Sequence, residues 1–254
     1  MFDPLHHTII ATDVAASGSR TDPLLVRMRA DVRQILRETL GRQNVDVTQL
    51  TMDDLGDGYR LLLPALISPR AALDPFVANL VTELRLHNQA SSEANRLRLR
   101  VVVHTGLLHA EPGGAWTGGA LKESARLLDA PAARWILDAL PVADLVVVVS
   151  ELLYNSVVRH GYSIDPVQFR RIRVQVKETD GHAWAHVPGV GRPPAPPDRT
   201  PQAPPREPSQ APASASQVTN VGDGQIFNGP ITGGNATFYG SVVGDRNGGT
   251  RGDR

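Results

Sequence analysis

Asp13, closing the run TIIATDV (8–14), and Asp57, in the turn of LGDGYRLLL (55–63), are the residues of this chain best placed to do chemistry. If folding brings them together, they form a carboxylate pair able to hold a divalent cation against the phosphates of a nucleotide. Taken alone, an Asp-Gly step is a turn former, favoured in hairpins for backbone reasons. The second aspartate upstream is what gives Asp57 a further role, so the elements that carry the two side chains decide the reading.

Those elements are legible from periodicity. TIIATDV is a short β-branched run that ends in small and polar residues, as a buried strand entering a loop should. Thr21, Asp22 and Pro23 open a helix with Leu25, Met28, Val32, Ile35, Leu36 and Leu40 on one face and Gly41 as its stop. VDVTQLTM (45–52) and YRLLLPA are expected to form a hairpin, with positive backbone dihedrals at Asp57 and Gly58. Asp74 and Pro75 are expected to cap a second helix bearing Val77, Leu80, Val81 and Leu84. RLRLRVVVHTG (96–106) reads as a central strand, and a Gly-rich stretch leads from it into a third helix running through ALKESARLLDAPAARWILDAL. LVVVVS (145–150) is a buried strand whose Ser150 caps the helix ELLYNSVVRH, stopped by Gly161. Ile172, Val174 and Val176 share one face of a late strand that is expected to turn back at Asp180-Gly181. The order β α β β α β α β α β β predicts an α/β (α+β) chain with a mixed, antiparallel-rich sheet and helices packed on it.

Composition sets the class. Basic and acidic residues balance at 26 each, so no electrostatic footprint for nucleic acid or anionic lipid is present. No cysteine offers a thiolate, a disulfide or a sulfur metal site, in keeping with a reducing, cytoplasmic setting. No apolar run is long enough to cross a bilayer. Nine of the twenty residues from 193 to 212 are proline, which predicts a stiff, extended spacer. Beyond it, short strand-prone pieces such as Ala236-Thr237-Phe238-Tyr239 alternate with Asn-Gly and Gly-Gly-Asn breaks. Such a segment is too small to fold alone but could stack on copies of itself. The expected organisation is a domain at 1–189, a linker at 190–216, a stacking motif at 217–248 and a disordered tail at 249–254.

The order of elements, with DVAASG, GDG, VVVHTG (101–106), WTGGALKESARL (116–127) and VQVKETDG, resembles the class III adenylate and guanylate cyclase catalytic domain, with its ferredoxin-like core. By that resemblance Asp13 and Asp57 are the metal aspartates, serving Mg2+ or Mn2+, and Lys177 contacts phosphate. Arg126 falls on the arginine that stabilises the transition state across a homodimer interface. Lys122 stands where the family carries a ribose-orienting asparagine, and Asp53 where it carries a base-selecting lysine or glutamate. The partner position for base selection falls on Ala115 or Thr117, so ATP and GTP both stay open as substrates. The tail, with Asn228-Gly229 and Gly234-Asn235 mirrored about Pro230, resembles bacterial amyloid signalling motifs that are templated by a receptor. The expectation is a signalling or defence effector whose cyclase-like domain is clustered through its tail. The alternative is a catalytically inactive nucleotide sensor or scaffold with the same fold, which the altered positions at Lys122, Asp53 and Ala115 motivate.

Overall fold

The computed structural model describes residues 3–197 apart from 47, 49 and 163. The chain divides into units at 1–200 and 201–254, and every described residue belongs to the first. The stacking motif and tail expected from the sequence, and the linker beyond 197, lie outside the described residues.

Eight strands form one sheet, with β5 off the main path as a short partner of β4. They are β1 (Leu5–Val14), β2 (Thr51–Asp54), β3 (Tyr59–Pro64), β4 (Leu99–Ala110), β5 (Trp116–Thr117), β6 (Leu145–Ser150), β7 (Arg170–Val176) and β8 (Thr179–His186). The spatial order is β2-β3-β1-β4-β6-β8-β7. All neighbours are antiparallel except β4 and β6, whose parallel pairing requires a crossover. The helices α3 (Gly119–Leu128) and α4 (Pro131–Ala139) supply it.

The alternation of each strand sends its side chains to two separate cores. On one face Ile10, Val101, Val103, Val147 and Val149 pack against α1 (Asp22–Gly41), α2 (Phe76–Ala90) and α5 (Glu151–Ser156). The expected apolar stripe of α1 is the buried one: Met28, Val32, Ile35, Leu36 and Leu40 are all at or below 3% exposure. On the opposite face Ala11, Val102, Val146, Val148, Ile172 and Val174 meet Leu127, Ala133, Ile136 and Leu137 of α3 and α4. A sheet covered on both faces explains why β4 and β6 read as continuous apolar runs. Among the described residues no helix is long and apolar enough to cross a membrane.

Four local expectations are corrected. The long third helix is two helices, because Pro131 has no N–H to continue the ladder and instead starts α4 at its first turn. The first hairpin strand begins only at Thr51, and the positive backbone angle in its loop falls on Gly56 (φ 98°) rather than on Asp57 or Gly58. The late hairpin turns at Lys177-Glu178, with Lys177 at φ 51°, not at Asp180-Gly181. That register sets Ile172 opposite Ala183 and lets Asp180 pair with Arg173 across the strands at 2.8 Å. The Gly-rich stretch before α3 contains β5, which pairs with the end of β4 through His109 and Ala110.

Candidate functional site

Asp13 lies one residue before the end of β1, on the face covered by α3 and α4. Its strand neighbour in register on β4 is Arg100, and the two side chains form an ion pair. Both are nearly buried, at 13% and 9% exposure for Asp13 and Arg100. The pair is incompletely satisfied, since Asp13 Oδ1 and Arg100 Nε are buried without a hydrogen-bond partner.

Asp57 comes from the loop between β2 and β3, which is stitched to the end of β1. Val14 N–H donates to the Asp57 carbonyl at 3.1 Å, and Tyr59 N–H donates to Thr12 Oγ1 at 2.9 Å. Within the loop, Leu55 N–H donates to the Gly58 carbonyl at 2.9 Å, Gly56 N–H to Asp54 Oδ1 at 2.7 Å, and Arg29 Nε–H to the Gly56 carbonyl. Ser17, in the turn after β1, donates its hydroxyl to Asp57 Oδ2 at 3.0 Å. Asp57 is exposed where Asp13 is buried.

The two aspartates line one cleft of about 300 Å3. Asp129, Arg60, Arg100 and Arg134 complete its charged lining, and Leu121, Ala125 and Leu128 of α3 form an apolar wall. Three carboxylates thus face three guanidiniums. Burial pushes Arg100 below its ordinary value and the nearby Arg134 adds to this, while Asp138 and Asp129 act in the opposite direction. Asp53 does not stand alone either: Arg60, directly across on β3, donates to its Oδ2 through Nε at 2.9 Å and through a terminal nitrogen at 2.6 Å.

The remaining sequence-predicted residues gather elsewhere. Lys122 and Arg126 lie one turn apart on α3, and neither lines the cleft. Arg126 donates to Glu178 Oε2 at 2.6 Å, which ties α3 to the turn that carries the exposed Lys177. The fold therefore makes two clusters, one in the cleft, where both aspartates stand among mixed charges, and one on α3 and the β7–β8 turn, which carry Lys122, Arg126 and Lys177 with Glu178. Sequence reasoning missed Arg60, Arg100, Arg134 and Asp129. Arg100 was visible in the alternation RLRLR, but its pairing to Asp13 exists only once β1 and β4 are set antiparallel in register.

The chain is similar to the solved guanylyl cyclase Cya2, at 15% identity and a TM-score of 0.51, over 73% of this chain and 92% of that one. It is similar to an adenylate/guanylate cyclase/hydrolase from Silicibacter pomeroyi at 16% identity and a TM-score of 0.53, over 74% and 100% of the two chains. A bacterial light-regulated adenylyl cyclase matches at 12% identity and a TM-score of 0.51, over 72% of this chain and 53% of that one. No protein-family model matches, and no curated protein matches in sequence. The fold is that of the nucleotide cyclase catalytic domain.

Proposed function

We propose that the domain is a divergent nucleotide cyclase, converting ATP or GTP to a cyclic nucleotide in a reaction that needs a divalent metal and two copies of the chain. The observation that carries this reading is the shared cleft of Asp13 and Asp57. Their oxygen donors suit Mg2+ or Mn2+, and Asp13 Oδ1 stands buried without a hydrogen-bond partner beside the ion-paired Oδ2. Among the described residues no group of three or more His, Cys, Asp or Glu could hold a metal. Two carboxylates alone match the way Mg2+ is bound beside substrate phosphates, which complete its shell. Bound there, such an ion would supply charge to the attacking 3′ oxygen and the leaving pyrophosphate.

The chain's own residues would do the rest. Ser17 holds the Asp57 carboxylate in place, and the stitched loop holds Asp57 at the end of β1. The basic group of Arg126 and Lys177, standing outside the cleft, would serve the cleft of a second copy, where a guanidinium stabilises charge that grows on the phosphate. Lys122, one turn from Arg126, would reach the same nucleotide, and Asp53 with Arg60 would border its base. A tandem fusion of two domains should convert ATP or GTP with Mn2+, and Asp13→Asn or Asp57→Asn in both halves should reduce turnover to background. A fusion that converts neither nucleotide would end this reading.

A second reading keeps nucleotide binding without turnover, and the engagement of Arg126 with Glu178 and of Asp13 with Arg100 favours it. Calorimetry separates the two, since nucleotide binding that survives in the Asp13→Asn, Asp57→Asn double variant while no product ever forms supports the sensor. We further propose, on the sequence pattern alone, that residues 217–248 assemble on a receptor or on one another and so concentrate the domains. A peptide of those residues should form thioflavin-positive fibrils; one that stays monomeric would remove the clustering.

A further inference from the structure

We propose that Arg100 is a resident counter-ion that closes Asp13 to divalent cations until a polyphosphate draws it away, so that metal and triphosphate enter the cleft together rather than in either order. This rests on the metal reading above and concerns how the site is loaded.

Four observations carry it. The pair is set by strand register, Asp13 opposite Arg100, so the guanidinium is delivered to the carboxylate by the sheet itself. Both side chains are nearly out of water, which makes their attraction strong. Yet the pair is not a closed fork. Asp53 and Arg60 one strand away make two hydrogen bonds, whereas Asp13 Oδ1 and Arg100 Nε are left buried without partners. An arginine with an unused donor gains from an anion that offers several acceptors at once, and a triphosphate is such an anion. Arg134 and Asp129 line the same cleft, so a displaced Arg100 stays among charged neighbours and, with Arg134, presents two guanidiniums to the incoming phosphates.

Charge balance leads to the same order of events. The cleft's lining carries three acids and three bases, so a divalent cation arriving alone leaves two positive charges that the lining does not compensate. With a triphosphate the ion's charge is offset by the phosphates, whose remaining negative charge falls to Arg100 and Arg134, and Arg100 exchanges one anionic partner for another.

The test is Mn2+ binding to the full-length chain, read by electron paramagnetic resonance of the free ion, with and without inorganic tripolyphosphate. The wild-type protein should bind Mn2+ alone at least about tenfold more weakly than Arg100→Gln does, and tripolyphosphate should tighten wild-type binding far more than that of the variant. Arg100→Met, which keeps the aliphatic stem, serves the same purpose should Arg100→Gln fail to fold by circular dichroism. Variants that bind Mn2+ no more tightly than wild type, with the same response to tripolyphosphate, would overturn the proposal. If Asp57→Asn abolishes Mn2+ binding in that case, the metal reading survives alone; if no protein binds Mn2+ under any condition, both fail.

Discussion

Gly58 and Thr12 are in such close approach that a β-carbon on Gly58 would lie 1.8 Å from the Thr12 carbonyl oxygen. The contact is backbone to backbone, so no rotamer change relieves it. It is what lets the β2–β3 loop press its aspartate against the end of β1.

Gly58→Ala should therefore cost at least about 3 kcal/mol, at the upper end of overpacking effects, and should loosen Asp57 from the cleft. Gly41, at the end of α1 with nothing within 4 Å of its added β-carbon, is the control. Gly41→Ala should be neutral or stabilising by up to about 1 kcal/mol. Urea unfolding of both variants checks this, and equal stabilities would refute the steric account.

The two aspartates should differ sharply in what they do for stability. Asp13→Asn strands a buried guanidinium and should lose about 3–5 kcal/mol, much of it recovered in the Asp13→Asn, Arg100→Met double variant. Asp57→Asn removes an exposed carboxylate held by one serine and should leave the unfolding midpoint nearly unchanged. A double-mutant cycle with no recovery would show that the Asp13–Arg100 pair is not the cause of the loss.

Stability should fall on acidification through the buried histidines. Burial holds His186 below its ordinary value, opposed only in part by a hydrogen bond with the Gln168 backbone. The folded chain then keeps the imidazole neutral at a pH where the unfolded chain, titrating near about 6.5, takes up a proton. Stability is thus whole above that value and declines as pH drops below it, by up to about 1.4 kcal/mol per unit, until the folded-state value is reached. His104 adds to the slope, since burial lowers it while Glu123 acts against the shift. Denaturant midpoints of wild type and His186→Gln between pH 7.5 and 5 should converge at the acid end; parallel curves would exclude His186 as a source.

A site shared between two chains predicts complementation. Arg126→Ala loses only a surface pair with Glu178, no more than about 1 kcal/mol of stability, but should lower turnover by about 10²-fold or more. Mixing Arg126→Ala with Asp57→Asn protomers should restore part of the activity, because one of the two clefts in the mixed dimer then has both clusters intact. Failure of the mixture, with each variant folded and dimeric, would place the arginine in the same subunit as the aspartates or outside the reaction.

Much of this was readable along the chain because it depends on neighbours. The buried stripe of α1, the Ser150 cap whose hydroxyl accepts from Leu153 N–H at 3.3 Å, and the apolar runs of β4 and β6 follow from local periodicity and local hydrogen bonding. Pro131 announced a helix start in the sequence itself, and the expectation of one long helix failed by passing over it. Asp180-Gly181 misled for the opposite reason. The dipeptide favours a turn locally, but the register that buries Ile172 and Val174 over Ala183 and keeps Asp180 on Arg173 outweighs that preference.

The amino-acid order alone settled the succession of the main strands and most of the helices, and that Asp13 stands near the end of a strand and Asp57 in a hairpin loop. It could not settle which charges meet. Arg100 faces Asp13, Arg60 faces Asp53 and Arg126 reaches Glu178 because of strand register and helix docking between segments far apart in the chain. Periodicity specifies the face on which a side chain stands, whereas its partner across the sheet is specified only when the sheet closes and the apolar faces of all its strands are buried at once.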